Sequence, residues 1–141
     1  MGTISRNFSY REFERSDMAD RHEVCNVIRT AEVRDAIKAL TLEVLQPLRD
    51  AWGRPLHVNS GYRCAELNVL VGGVPSSQHV RGEAADIACD DPRELAVTAM
   101  RLGLPFDQMI LYPDFVHFSH SLEGPQRGQV LYNWRYKGEK L

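Results

Sequence analysis

His79, Asp86 and His117 have the types and spacing that suit metal chemistry. Two imidazoles and a carboxylate are the donors of an open zinc site, which leaves a fourth position for water or substrate. His79 falls in a polar loop marked by Pro75, Ser76, Ser77 and Gly82, and Asp86 in the small-residue run Ala84, Ala85, Asp86, Ile87, Ala88. A turn at Gly82 would fold His79 back towards Asp86. Strand parity assigns the third donor. Val116, His117, Phe118 and Ser119 alternate apolar and polar, so His117 and Ser119 share one face, and His120 joins Val116 and Phe118 on the other. Asp114, just after Pro113 and three residues before His117, is placed to act as a general base on a water at the metal. Taken singly these residues have ordinary readings: a solvated loop histidine, a turn aspartate, a carboxylate capping the next loop. The set and its order carry the chemistry.

The elements that must position these groups can be read around them. Ser9 and Glu12 have capping-box spacing, which predicts a short helix opened by Ser9. Residues 17–25 are polar and read as loop, with His22 solvated. Val33, Ile37, Leu40, Val44, Leu45, Leu48 and Trp52 recur at three- and four-residue steps, the stripe of a long helix ended by Gly53. Pro47 inside that run removes one backbone donor and predicts a kink or interruption. Residues 56–59 read as a strand that delivers Ser60, Gly61, Tyr62 and Arg63 to its end. The Arg63 guanidinium suits an oxyanion or a substrate carboxylate, with a surface salt bridge as its ordinary alternative. Residues 65–71 form one or two helical turns closed by Gly72 and Gly73. Asp91, Pro92 and Glu94 open a further helix that stops at Gly103. Strands over 108–112 and 115–119 read as a hairpin, a last strand falls at 129–133, and the charged tail from Arg135 is expected to fray.

The segment Ser77-x-His79-x-x-Gly82-x-Ala84-x-Asp86 resembles the signature of the zinc D-alanyl-D-alanine carboxypeptidase and L-alanyl-D-glutamate endopeptidase family, which acts on bacterial cell-wall peptides. Ser60-Gly61-Tyr62-Arg63 and Asp114-x-x-His117-x-Ser119 resemble two further segments of that family, and the likeness runs from about Phe8 to about Ser119. It implies zinc bound by His79, Asp86 and His117, with Asp114 as the base and Arg63 steadying the substrate carbonyl. Ser77 and Ser119 would then orient the ligands by hydrogen bonds. The chain departs from the pattern in a spare histidine, His120, which is read as a rim residue or as an outer or substrate-side group. The implied activity is zinc-dependent hydrolysis of a peptidoglycan stem peptide. A zinc-stabilised but hydrolytically silent binding module is the alternative, against which Asp114 and Arg63 argue.

Length and composition set the outer bounds. With 43% apolar and 26% charged residues and a net charge of -2, residues 1–141 read as one ordinary globular domain. No basic clustering suggests nucleic acid, and no apolar run is long enough to span a membrane. The N-terminal residues lack the apolar core of a signal peptide, so synthesis and retention in the cytoplasm are expected, with release at lysis or carriage on a virion if the chain is a phage lysin. Cys25, Cys64 and Cys89 are odd in number and without paired metal spacing, so buried free thiols are expected. The fold expected is α+β: a small, mainly antiparallel sheet with helices packed on one side.

Overall fold

The longest apolar stripe of the sequence becomes one helical rod with a defect inside it. A computed structural model describes residues 2–141. In it, α3 (Ala31–Leu40) starts at Thr30, whose hydroxyl accepts the Val33 N–H at 3.2 Å. A π-helical segment, Thr41–Leu45, follows, and α4 (Gln46–Trp52) ends at Gly53 in the left-handed region, φ 75°. Pro47 has no N–H, and its ring crowds the carbonyl four residues back, so the preceding turn widens and the Gln46 N–H reaches back to the Thr41 carbonyl. The expected interruption is thus a widened turn. The buried stripe Ile37, Leu40, Val44, Leu45 and Leu48 runs through it unbroken.

Before this rod lie β1 (Thr3–Ser5), β2 (Phe8–Ser9), α1 (Tyr10–Glu14) and α2 (Asp17–Arg21). The predicted box at Ser9 is present, with the Glu12 carboxylate accepting the Ser9 N–H at 2.9 Å. The loop expected over 17–25 is corrected to a helix over Asp17–Arg21. Ser16 caps it by accepting the Ala19 N–H at 3.1 Å, and Ala19 is buried with Val24 and Leu67. Local capping and one buried alanine outweigh the polar composition.

The central sheet has the order β3-β4-β6-β5-β7, with β3 (His57–Ser60), β4 (Ala84–Ala88), β5 (Gln108–Leu111), β6 (Phe115–Ser119) and β7 (Gln129–Tyr132). The β3–β4, β4–β6 and β5–β6 pairs are antiparallel, and only the edge strand β7 runs parallel to its neighbour. Ala85, Ile87, Met109, Leu111, Val116 and Phe118 share one face and are all fully buried against α3, α4 and α6 (Pro92–Arg101). At about 1.5–3 kcal/mol for each large side chain removed from water, this face holds the layers together. The other face carries the alternate residues. The expected α+β layering, with helices against one side of the sheet, is the fold observed.

Two connections complete the fold. The helix α5 (Ala65–Leu70) follows β3 and leads into the loop over 71–83, while the chain after Arg135 turns back so that the Leu141 N–H meets the Tyr132 hydroxyl at 2.8 Å. No helix among the described residues is long and apolar enough to cross a membrane.

Candidate metal centre

Asp86 and His117 face each other across the two innermost strands, as a direct cross-strand pair of β4 and β6. Directly opposed Cβ atoms in an antiparallel pair lie about 4.5–5.5 Å apart, which brings the imidazole onto the carboxylate. His117 Nδ1 lies 2.9 Å from Asp86 Oδ1. His79 arrives from the loop instead. Successive turns bring the chain round, with the Val80, Arg81 and Gly82 N–H groups bonded to the Ser77, Gln78 and His79 carbonyls. Gly82 is required there twice over: its φ is 75°, and a Cβ would come 2.7 Å from the Val33 carbonyl oxygen of α3.

The orientation of His79 is fixed from behind. Its Nδ1 lies 2.7 Å from the Gly61 carbonyl, and a carbonyl only accepts, so Nδ1 carries the proton and Nε2 presents its lone pair. Nε2 lies 3.3 Å from Asp86 Oδ1. A tetrahedral zinc with bonds of about 2.0–2.1 Å separates its ligand atoms by roughly 3.3–3.4 Å, so this spacing matches one edge of such a site. The donor atoms of His79, Asp86 and His117 all lie within 4.8 Å of one another. All three side chains are largely withdrawn from solvent: 4%, 11% and 13% exposed. Burial alone would raise the Asp86 carboxyl, but the two histidines beside it, His117 and His79, outweigh it and hold the group well below the usual carboxylate range. The carboxylate is therefore ionised, as a metal ligand must be. Two neutral imidazoles and one anionic oxygen are a zinc donor set, and the residues present fit that ion.

Arg63 stands beside the cluster. Its Nη2 is 3.7 Å from Asp86 Oδ2, its Nε donates to Ser60 Oγ at 3.1 Å and its Nη1 to Asn68 Oδ1 at 3.2 Å. The Arg63 N–H donates to the His79 carbonyl at 3.1 Å, so the arginine and the ligand loop are joined through the backbone. Burial draws the guanidinium below its ordinary value, against the pull of Asp86 and Tyr112, yet an arginine remains charged.

The remaining predicted residues divide. Ser77 Oγ accepts the His79 N–H at 3.2 Å and orders the loop at the ligand. Ser119 is fully buried and accepts the Gln108 N–H at 2.9 Å, so it joins β6 to β5 and touches no ligand. Asp114 is not one of the clustered donors. It is exposed in the β5–β6 turn, its carbonyl accepts the Cys89 N–H at 3.0 Å, and its carboxylate has no hydrogen bond or ion pair among the described residues. His120 lies on the helix side, where the burial that lowers its pKa is opposed by Glu43, Glu83 and Asp107, and its Nδ1 is buried without a partner. Cys64 packs with the small Ala19, Val24 and Leu67 cluster.

Sequence reasoning missed the supports. Asn68 is buried, holds Arg63 with its oxygen and donates to the Val74 carbonyl at 2.8 Å, steadying both the arginine and the ligand loop. Gln78, next to His79, donates to buried Asp107 at 3.1 Å, and Arg127 grips the same carboxylate with its side chain and its backbone N–H. Tyr112 shares the metal face by register, since its N–H continues the ladder to the Phe115 carbonyl and Ile110 lies opposite His117. Alternation along residues 108–112 was the one signal that could have placed it.

Residues 6–120 match the family model described as Peptidase M15. Over 84 residues, 57% of this chain, the sequence is 37% identical to the zinc D-Ala-D-Ala carboxypeptidase of Streptomyces albus G, of which the match covers 31%. The match takes in less than a third of that relative's length. A buried His-Asp-His cluster of zinc type, an arginine bonded to its loop, and a family match over most of the sequence lead to one conclusion: this chain belongs to the peptidase M15 family.

Proposed function

We propose that this protein hydrolyses a peptide bond in bacterial peptidoglycan stem peptides, as a zinc carboxypeptidase or endopeptidase. The observation that carries the reading is the His79, Asp86 and His117 cluster with the Arg63 guanidinium 3.7 Å from Asp86. A metal site needed only for folding has no use for a cation held beside it by Ser60 and Asn68. Zinc held by these three residues would polarise the scissile carbonyl and make the attacking water more acidic.

The chain's own residues do the rest. The Gly61 carbonyl sets the tautomer of His79 and turns its Nε2 towards Asp86. Arg63 donates its free N–H groups to the oxyanion that develops on the substrate, or to a substrate carboxylate, from a position that needs no rearrangement. Asp114 takes the proton of the attacking water and returns it to the leaving amine. Its carboxylate is free of any competing partner, and it lies on the turn that carries β6 to His117. The name of the Streptomyces albus G relative supports a D-alanyl-D-alanine bond as the target. The L-alanyl-D-glutamate bond and the bond of a D-alanine to diaminopimelate are the other candidates.

Mass spectrometry of purified peptidoglycan, incubated with zinc-loaded protein and with a chelated control, tests this. Fragments released only with zinc would establish a peptidase, and their masses would name the bond. A silent zinc-stabilised module is the second reading, favoured by the exposure of Asp114, whose carboxylate has no hydrogen bond among the described residues to hold it towards the cluster. Tight zinc binding with no release from walls of several chemotypes would establish it instead.

A further inference from the structure

Beyond the metal centre, the sheet face continues into a groove whose aromatic rings the peptidase chemistry leaves unused. Tyr112 and Phe115 stack across the β5–β6 turn, with ring centroids 4.1 Å apart and planes 13° from parallel. Phe115 lies two residues from His117 on the same face of β6, so the pair begins about 7 Å along the strand from the ligand. The segment after β7 closes the other side. The Asn133 N–H donates to the Leu111 carbonyl at 2.9 Å, which sets Trp134 and Arg135 beside the turn. Together with Pro113 and Asp114 these residues line a groove of about 460 Å³.

Trp134 is the telling residue. It is 76% exposed, and the Arg135 guanidinium sits 4.8 Å from its ring centroid. Large aromatic surface left in water beside a site costs stability and marks a place where something docks. We propose that this groove binds a pyranose of the wall glycan, an N-acetylated amino sugar of the strand from which the stem peptides branch. The proposal rests on the peptidoglycan reading above. The C–H face of a pyranose carries a slight positive charge and packs on the negative face of an aromatic ring. Its hydroxyl and acetamide groups need donors and acceptors at the rim, which the Asn133 amide and the Arg135 guanidinium supply. A peptide would use the backbone of an open strand edge instead, and here the β5 edge is already paired to β7. A sugar held in this groove would present the attached peptide along the sheet towards His117.

Calorimetric titration of the zinc-loaded protein with the tetramer of N-acetylglucosamine tests the site without any cleavage. The expected result is binding that weakens about 10-fold in Trp134→Ala, the loss of one aromatic stacking contact, and returns in Trp134→Phe. Trp134 lies outside the core, so the substitution leaves the fold intact. No binding by the parent, or equal binding by Trp134→Ala, would overturn the proposal. So would a parallel titration in which a free stem peptide, and not the saccharide, loses affinity in Trp134→Ala. Saccharide binding that depends on Trp134 in a protein that cuts no wall peptide would uphold the groove while sinking the peptidase reading. Cleavage without saccharide binding would do the reverse.

Discussion

The two faces of the central sheet are written in the same strands, one residue out of step. On β4 and β6 the helix-facing set is Ala85, Ile87, Val116 and Phe118, all fully buried and apolar, whereas the set between them includes Asp86, His117 and Phe115. The first face answers to packing alone, so any side chain of the right volume could serve. The second answers to the direction of individual lone pairs. Because the side-chain period is two, a slip of β6 by one residue against β4 would bury His117 under the helices, lift Val116 and Phe118 into the cleft and leave Asp86 without its partner. Packing on one side therefore fixes register for chemistry on the other.

The contrast can be broken most severely at the metal face. His117→Ala should lose zinc, with affinity down more than about 100-fold by equilibrium dialysis, and turnover should go with it, while denaturant unfolding of the metal-free forms changes little. Asp114→Asn sharpens the same face. Zinc content should stay at the parental level while turnover on peptidoglycan falls about 10²–10⁴-fold. Parental activity in that variant would place the base elsewhere.

On the packed face the signs reverse. Phe118→Ala should cost about 3–5 kcal/mol of stability by urea unfolding, because the space it leaves under α6 cannot collapse, yet the folded fraction should bind zinc as before. A variant that lost zinc while keeping its unfolding midpoint would show that the faces are not separable in this way.

The smallest effect falls between them, at Asp107. Its hydrogen bonds with Arg127 lower its carboxyl to about 2. A group whose folded pKa is depressed contributes stability that is complete above its unfolded value and is lost as the pH falls through the folded one. Arg127→Ala should therefore be slightly less stable than the parent above about pH 4. That difference should close towards pH 2, and urea unfolding at both pH values checks it.

Much of this organisation was legible in the sequence because it rests on local rules. Parity placed His117 and Ser119 on one face of β6 and His120 on the other, and turn chemistry at Gly82 returned His79 to Asp86. Capping at Ser9 and Asp91 marked two helix starts. What stayed hidden depends on partners distant in the chain. The Gly61 carbonyl that orients His79, and the hold of Asn26 on the Tyr62 carbonyl and the Cys64 N–H, join segments that no periodicity links. Asp114 shows the limit from the other side. Its spacing from His117 fits the motif, but that spacing says nothing of where a turn carboxylate points, and no hydrogen bond among the described residues fixes it.

The backbone at Gly61 has a consequence for engineering. A side chain there would meet the Cα of buried Phe13 at 2.8 Å, the next N–H, that of Tyr62, donates to the Phe13 carbonyl at 2.8 Å, and the Gly61 carbonyl sets the His79 tautomer. Positions 13, 61 and 79 thus behave as one graft. A chimaera that takes the ligand loop from one parent and the amino-terminal helix from another would inherit the metal donors without the surface that aims them, and libraries meant to widen the cleft should leave residue 61 as glycine.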